Sequence, residues 1–169
     1  MTQEETQANK KLLLKDLCSR LPYGVVGQCE FDASYDTPFD TIPQTHKFNA
    51  VVDGIIEDSL IVSPSIEDQD ELEFANEEIA DGVDILDFKP YLFPLSSMTE
   101  EQKEELKQEH IKDEKLYAEC LTRAAKGDKS MRGKVIIHYA MDWCNKNHFD
   151  YRGLIEKGLA IDATGLDIY

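Results

Sequence analysis

The sequence Asp87-Phe88-Lys89-Pro90-Tyr91-Leu92-Phe93-Pro94-Leu95-Ser96-Ser97-Met98-Thr99-Glu100-Glu101-Gln102 decides how the chain divides, because it joins a β-rich, acidic first half to a helical second half. Pro90 and Pro94 each lack a backbone donor, which argues against a central strand or a helix interior at either position. The part before Ser96 therefore reads as an extended connector packed through Tyr91, Leu92, Phe93 and Leu95. Thr99 followed three residues later by Gln102 is a reciprocal capping box, and Glu100 and Glu101 fall where the positive end of a helix dipole favours acids. A helix starting near Glu100 follows.

Upstream, residues 1–9 are polar and read as a flexible N-terminus. A helix from Lys10 to Arg20 places Leu13, Leu14, Leu17 and Leu21 on one stripe, and Pro22 ends it. Residues 23–31 form a first strand in which Gly24 and Gly27 imply a bend or a close crossing of backbone. Residues 32–47 carry Pro38 and Pro43 among aspartates and read as a long surface loop. Residues 48–56 and 59–62 form a hairpin turning at Glu57-Asp58. Asp53-Gly54 is the competing turn, disfavoured by the apolar pair Ile55-Ile56 behind it. Residues 67–80 read either as a strand plus loop or as a distorted helix, and residues 83–88 as a last strand.

Downstream, the capped helix extends from Thr99 to Ala125 with a break near residues 112–114. A further helix from Met131 or Lys134 to Lys146 is apolar on more than one stripe and is expected to be the most buried. Asp150 caps a short helical turn over residues 151–157 that Gly158 closes. The resulting class is α+β: an N-terminal helix, a small antiparallel sheet of about four strands that an SH3-like barrel would accommodate, and C-terminal helices. Residues 10–95 form the helix and acidic β-rich part, and residues 96–161 the helical part packed on it as a single domain. Residues 162–169 form a loose tail.

The 169 residues include 18 basic and 34 acidic side chains, a net charge of −16 that repels a phosphate backbone or an anionic membrane. Direct nucleic-acid or membrane binding is therefore not expected. Cys18, Cys29, Cys120 and Cys144 share no C-x-x-C or zinc-finger spacing, so they read as reduced structural thiols in a cytoplasmic protein. No leader with an apolar core is visible at the start.

The charge is also unevenly placed. Residues 48–88 contain no lysine or arginine, while thirteen aspartates and glutamates fall among them. Such density costs stability by self-repulsion unless the acids are dispersed on loops or meet a cationic partner. Glu67, Asp68, Asp70, Glu71, Glu73, Glu77, Glu78 and Asp81 are the candidate partner-binding residues, their occupant a basic protein surface; mimicry of nucleic acid is a sharper form of the same idea.

Catalytic signatures are absent: no P-loop, dinucleotide fingerprint, G-x-S-x-G elbow or H-E-x-x-H pair occurs, and no cofactor is implied. His46, His110, His138 and His148 have no nucleophile at motif spacing. The carboxylates of residues 68–78 could offer oxygens to Ca²⁺, but the glycine and closing glutamate of an EF-hand are missing from their positions. Arg152 reads as the partner of Asp150 or Glu156. The alternative to an interaction protein is a small enzyme or ligand-binding protein with a carboxylate or metal site of unfamiliar form.

Three segments carry a resemblance: Lys11-Leu12-Leu13-Leu14-Lys15-Asp16-Leu17-Cys18-Ser19-Arg20-Leu21-Pro22-Tyr23-Gly24-Val25, Lys89-Pro90-Tyr91-Leu92-Phe93-Pro94-Leu95-Ser96-Ser97-Met98-Thr99-Glu100-Glu101 and His148-Phe149-Asp150-Tyr151-Arg152-Gly153-Leu154-Ile155-Glu156-Lys157-Gly158-Leu159-Ala160. Together they resemble an uncharacterised family of small proteins from gut-bacterial genomes and their prophages and mobile elements. The resemblance implies an intracellular accessory factor acting on a host protein or inhibiting host defence, and no site residues.

Overall fold

The computed structural model describes residues 2–32, 35–36, 41–42, 45–57, 59–66, 69–109 and 129–169. Helix α1 spans Gln3–Arg20 and so begins upstream of Lys10, because Thr2 and Glu5 close a capping box at bond lengths of 2.7 and 3.2 Å. Its inward side carries Leu13, Leu17, Asp16 and Arg20. Each fully buried leucine contributes roughly 1.5–3 kcal/mol relative to exposure.

Two compact units emerge, one made of residues 1–92 and 152–169, the other of residues 93–151. In the first unit the sheet runs in the order β6 (Val83–Asp84), β5 (Ser59–Pro64), β4 (Thr45–Ile56), β1 (Val25–Asp32) and β7 (Phe88–Pro94), antiparallel throughout. Strand β9 (Ile161–Asp162) joins β7 in parallel, and in the second unit the last residues of β7 pair in parallel with β8 (Phe149–Asp150). The α+β class holds, but among the described residues the sheet is mixed, has seven strands and does not close, so neither a four-stranded antiparallel sheet nor an SH3-like barrel describes it. A short pair, β2 (Tyr35–Asp36) and β3 (Thr41–Ile42), lies within what the sequence suggests is loop, and β1 and β4 extend toward it as far as Asp32↔Thr45.

The Pro90 segment is strand rather than connector. Pro90 closes the ladder to β1 opposite Gly27, and the parallel pairing with β9 opens at the next residue, Tyr91. The missing N–H thus falls at the last residue laddered to β1 and before the β9 ladder begins, and a ladder end tolerates a proline better than a ladder's middle. Gly27 is required there: a Cβ would stand 2.3 Å from Phe88 Cζ and 2.6 Å from the Lys89 carbonyl. Leu95, expected to pack, is exposed.

Glu57, at φ 57°, lies in the expected β4–β5 turn, while Asp53-Gly54 is a bulge at which the register shifts. Residues 69–78, ambiguous in sequence, form helix α2 (Gln69–Glu78). The core of this unit gathers Leu13, Leu17, Val25, Cys29, Ala50, Val52, Leu60, Val62, Val83, Ile85, Phe88 and Leu92. Residues 151–157 are turns instead of a helix, with Gly153 and Gly158 both at positive φ.

In the second unit, helix α3 (Glu100–Glu109) starts at the expected capping box, with Thr99 N–H donating to Gln102 Oε1 at 2.9 Å and Gln102 N–H to Thr99 Oγ1 at 3.2 Å. Its expected continuation over residues 110–125, with Cys120, lies outside the described residues. Helix α4 spans Lys129–Lys146, and Trp143, Cys144, Met98 and Phe149 form this unit's core.

Candidate protein-docking surface

Of the eight residues singled out by charge, Glu67 and Asp68 lie outside the described residues, as do the side chains of Asp70, Glu71 and Glu78. Glu73 and Glu77 are exposed on α2, and Asp81 is exposed in the turn that follows it. Glu57 is exposed at the hairpin tip, and Asp53 is exposed on β4, where it accepts a hydrogen bond from Ser63 Oγ at 2.6 Å. Among the described residues no cation pairs with Asp53, Glu57, Glu73, Glu77 or Asp81.

Asp84 differs from them. Lys10 on α1 binds its carboxylate and the Leu86 N–H donates to it, which outweighs the upward push of its burial and holds it below the usual carboxylate range. Asp87 is pushed the other way, first by partial desolvation and then by the nearby charge of Asp84. The flanking lysines, Lys47 and Lys89, both reach Glu30 on β1, at 3.1 and 3.8 Å.

Beside these acids is an apolar groove of about 380 Å³ between the β4–β5 hairpin and the turn after α2. Ile56, Leu60, Ile61, Val62 and Ile79 supply its apolar lining, and Glu57 and Asp81 its charge. Successive strand residues point to opposite faces, so a hollow touched by Leu60, Ile61 and Val62 together faces the sheet's edge. Strand β6 pairs only with Ser59 and Leu60, which leaves the outer side of Ile61–Pro64 beyond the reach of that ladder. Ile56 is 61% exposed and Ile61 46%, large values for isoleucine in a sheet. These apolar residues were not among the sequence candidates. The signal was present in Leu60-Ile61-Val62, a run apolar on both strand faces, one of which a surface hairpin must leave uncovered.

Two buried polar sets are less suited to binding. Asp16, with no exposed surface, accepts from Arg20 Nε at 2.7 Å, from Arg20 Nη2 at 3.2 Å and from Arg152 Nε at 2.9 Å. Arg152 therefore pairs with Asp16, a partner not singled out from sequence, and its Nη2 donates to Ser19 Oγ at 3.3 Å. In the second unit the Trp143 ring stacks on Phe149 at 5.5 Å and 9°. Trp143 Nε1 and Asn145 Oδ1 are buried without a hydrogen-bond partner among the described residues. They stand two positions apart on one helix and so point away from each other, which defines no common site.

Among the described residues no group of three or more His, Cys, Asp or Glu side chains is arranged to hold a metal ion, and no helix is long and apolar enough to cross a membrane. Compared with protein-family models, curated proteins and solved structures, the chain matches none of them.

Proposed function

We propose that this chain is a non-enzymatic interaction protein that binds a basic surface of another protein through the acid-rich part of its first unit. The observation that carries the reading is the set Asp53, Glu57, Glu73, Glu77 and Asp81: all exposed, and none matched by a cation among the described residues. Ordinary surfaces intersperse both signs, because unbalanced charge destabilises the compact state. Retaining it over residues 48–88 makes sense if a cationic partner relieves the repulsion. The resemblance of three segments to a phage-associated family supports a host protein as that partner, held in an accessory or inhibitory role.

Capture from host lysate on the immobilised chain, read at low and high ionic strength, tests the reading. Recovery of a basic protein that declines with salt is expected, and the triple variant Glu73→Gln, Glu77→Gln, Asp81→Asn should recover less of it. Equal recovery at both salt concentrations, or by the triple variant, would count against the proposal.

A further inference from the structure

From the groove we infer that the contact is made by an extended peptide segment of the partner, carrying apolar side chains between lysines or arginines and lying along the β5 edge. This rests on the reading above that the partner is basic, and it adds the form in which that partner is held.

Three features of the groove select such an occupant. Its apolar lining, Ile56, Ile61 and Ile79 over the buried Leu60 and Val62, favours an aliphatic side chain over a purely polar one. Glu57 and Asp81 in its wall would meet a cation on either side of that side chain. Its place at a strand edge suits an extended backbone, in which alternate residues point to opposite sides. A volume of about 380 Å³ falls within the usual range of ligand clefts, and it fits one or two side chains better than a folded domain face.

Charge also separates this occupant from the others an apolar edge invites. A second copy of the chain would bring another net charge of −16, and an anionic lipid surface would be repelled in the same way. An uncharged apolar segment would fill the hollow yet leave Glu57 and Asp81 desolvated beside it without partners, which disfavours its entry.

The test uses three labelled peptides of equal length, titrated into the full chain by fluorescence anisotropy: one alternating lysine with valine, one alternating glutamate with valine, and one of lysine with serine. The lysine-valine peptide is expected to bind, the glutamate-valine peptide to show no binding, and the lysine-serine peptide to bind at least roughly tenfold more weakly, the loss appropriate to one apolar anchor. Ile61→Ser should weaken the lysine-valine peptide by a similar factor. Ile56→Ser, at a still more exposed position, serves as a second variant should Ile61→Ser disturb the fold, as judged by circular dichroism. Equal affinity for the two lysine peptides, or no effect of either isoleucine variant, would overturn the groove while leaving a purely electrostatic contact standing. No binding of either lysine peptide, with salt-sensitive capture of a basic protein still observed, would also overturn it. Concentration-dependent self-association abolished by Ile61→Ser would assign the groove to a second copy and overturn the proposal as well.

Discussion

Arg152 Nε donates to Asp16 Oδ1 at 2.9 Å, joining residues 136 positions apart within the first unit. Asp16 and Arg20 both have no exposed surface, so a fully buried carboxylate holds two guanidinium groups, that of Arg20 buried with it and that of Arg152 partly exposed. Removing one member of a buried ion pair leaves the other charge stranded, which costs far more than the intact pair contributes. Asp16→Ala is therefore expected to lower unfolding free energy by about 3–5 kcal/mol in urea denaturation. Arg152→Ala, at the more accessible end, should cost less. An Asp16→Ala protein as stable as the parent would show that the network is dispensable.

The approach of β7 to β1 gives a second expectation. A Cβ on Gly27 would fall 2.3 Å from Phe88 Cζ and 2.6 Å from the Lys89 carbonyl oxygen, and the latter is backbone that cannot swing aside. Gly27→Ala should destabilise by about 1–3 kcal/mol or more through overpacking. Gly158→Ala is a useful contrast, because nothing lies within 4 Å of its added carbon and only the positive φ of 69° opposes it. Its cost should be smaller, as read by the shift in thermal midpoint.

Asp87 provides a pH-dependent prediction. Partial desolvation and the charge of Asp84 raise its pKa above 3.8, so the folded state holds the proton more tightly than the unfolded chain. Stability from this source is fully present below the unfolded pKa and is lost as pH rises through the folded one. Asp87→Asn should therefore raise the thermal midpoint at neutral pH, and the advantage should disappear in acid below about pH 3.8. Asp84 has the opposite sign. Lys10 lowers its pKa, so its contribution is present above the unfolded value and lost in acid, and Lys10→Met should remove that contribution. The pair is partly exposed, and its worth is expected to stay within about 1 kcal/mol.

The thiols should differ in reactivity. Burial first, and then the charge of Asp87, push Cys29 up to about 12, so almost no thiolate exists near neutral pH. Cys18 is exposed on α1. Brief treatment of the folded protein with iodoacetamide followed by peptide mass mapping should find Cys18 modified and Cys29 untouched; prompt labelling of Cys29 would mean that the β1 region opens readily.

The elements legible in sequence are those whose signals are local. Thr99 and Gln102 specify the start of α3 through side-chain bonds three residues apart, and Glu57 marks its turn through a break in an apolar run. Gly27 signalled a close crossing, though not that Phe88 would fill the space. What stayed hidden depends on distant partners. Pro90 looked incompatible with a central strand because a single sequence does not show that the ladder to β1 ends at that residue and the one to β9 begins only after it. Nothing local in the sequence marks Asp16 as buried, since its partner Arg152 comes from the far end of the chain. The acid-rich composition of residues 48–88 was plain, while the groove needed both the hairpin and the turn after α2, neither of which carries a binding motif.

The most direct measurement of the central claim is the affinity of the captured basic partner for the purified chain across a salt series, for the parent and for the triple variant Glu73→Gln, Glu77→Gln, Asp81→Asn. Affinity should fall steadily as salt rises, and the variant should bind more weakly with a shallower dependence. Salt-independent affinity, or a variant that follows the parent's line, would contradict the claim that these uncompensated acids hold the partner.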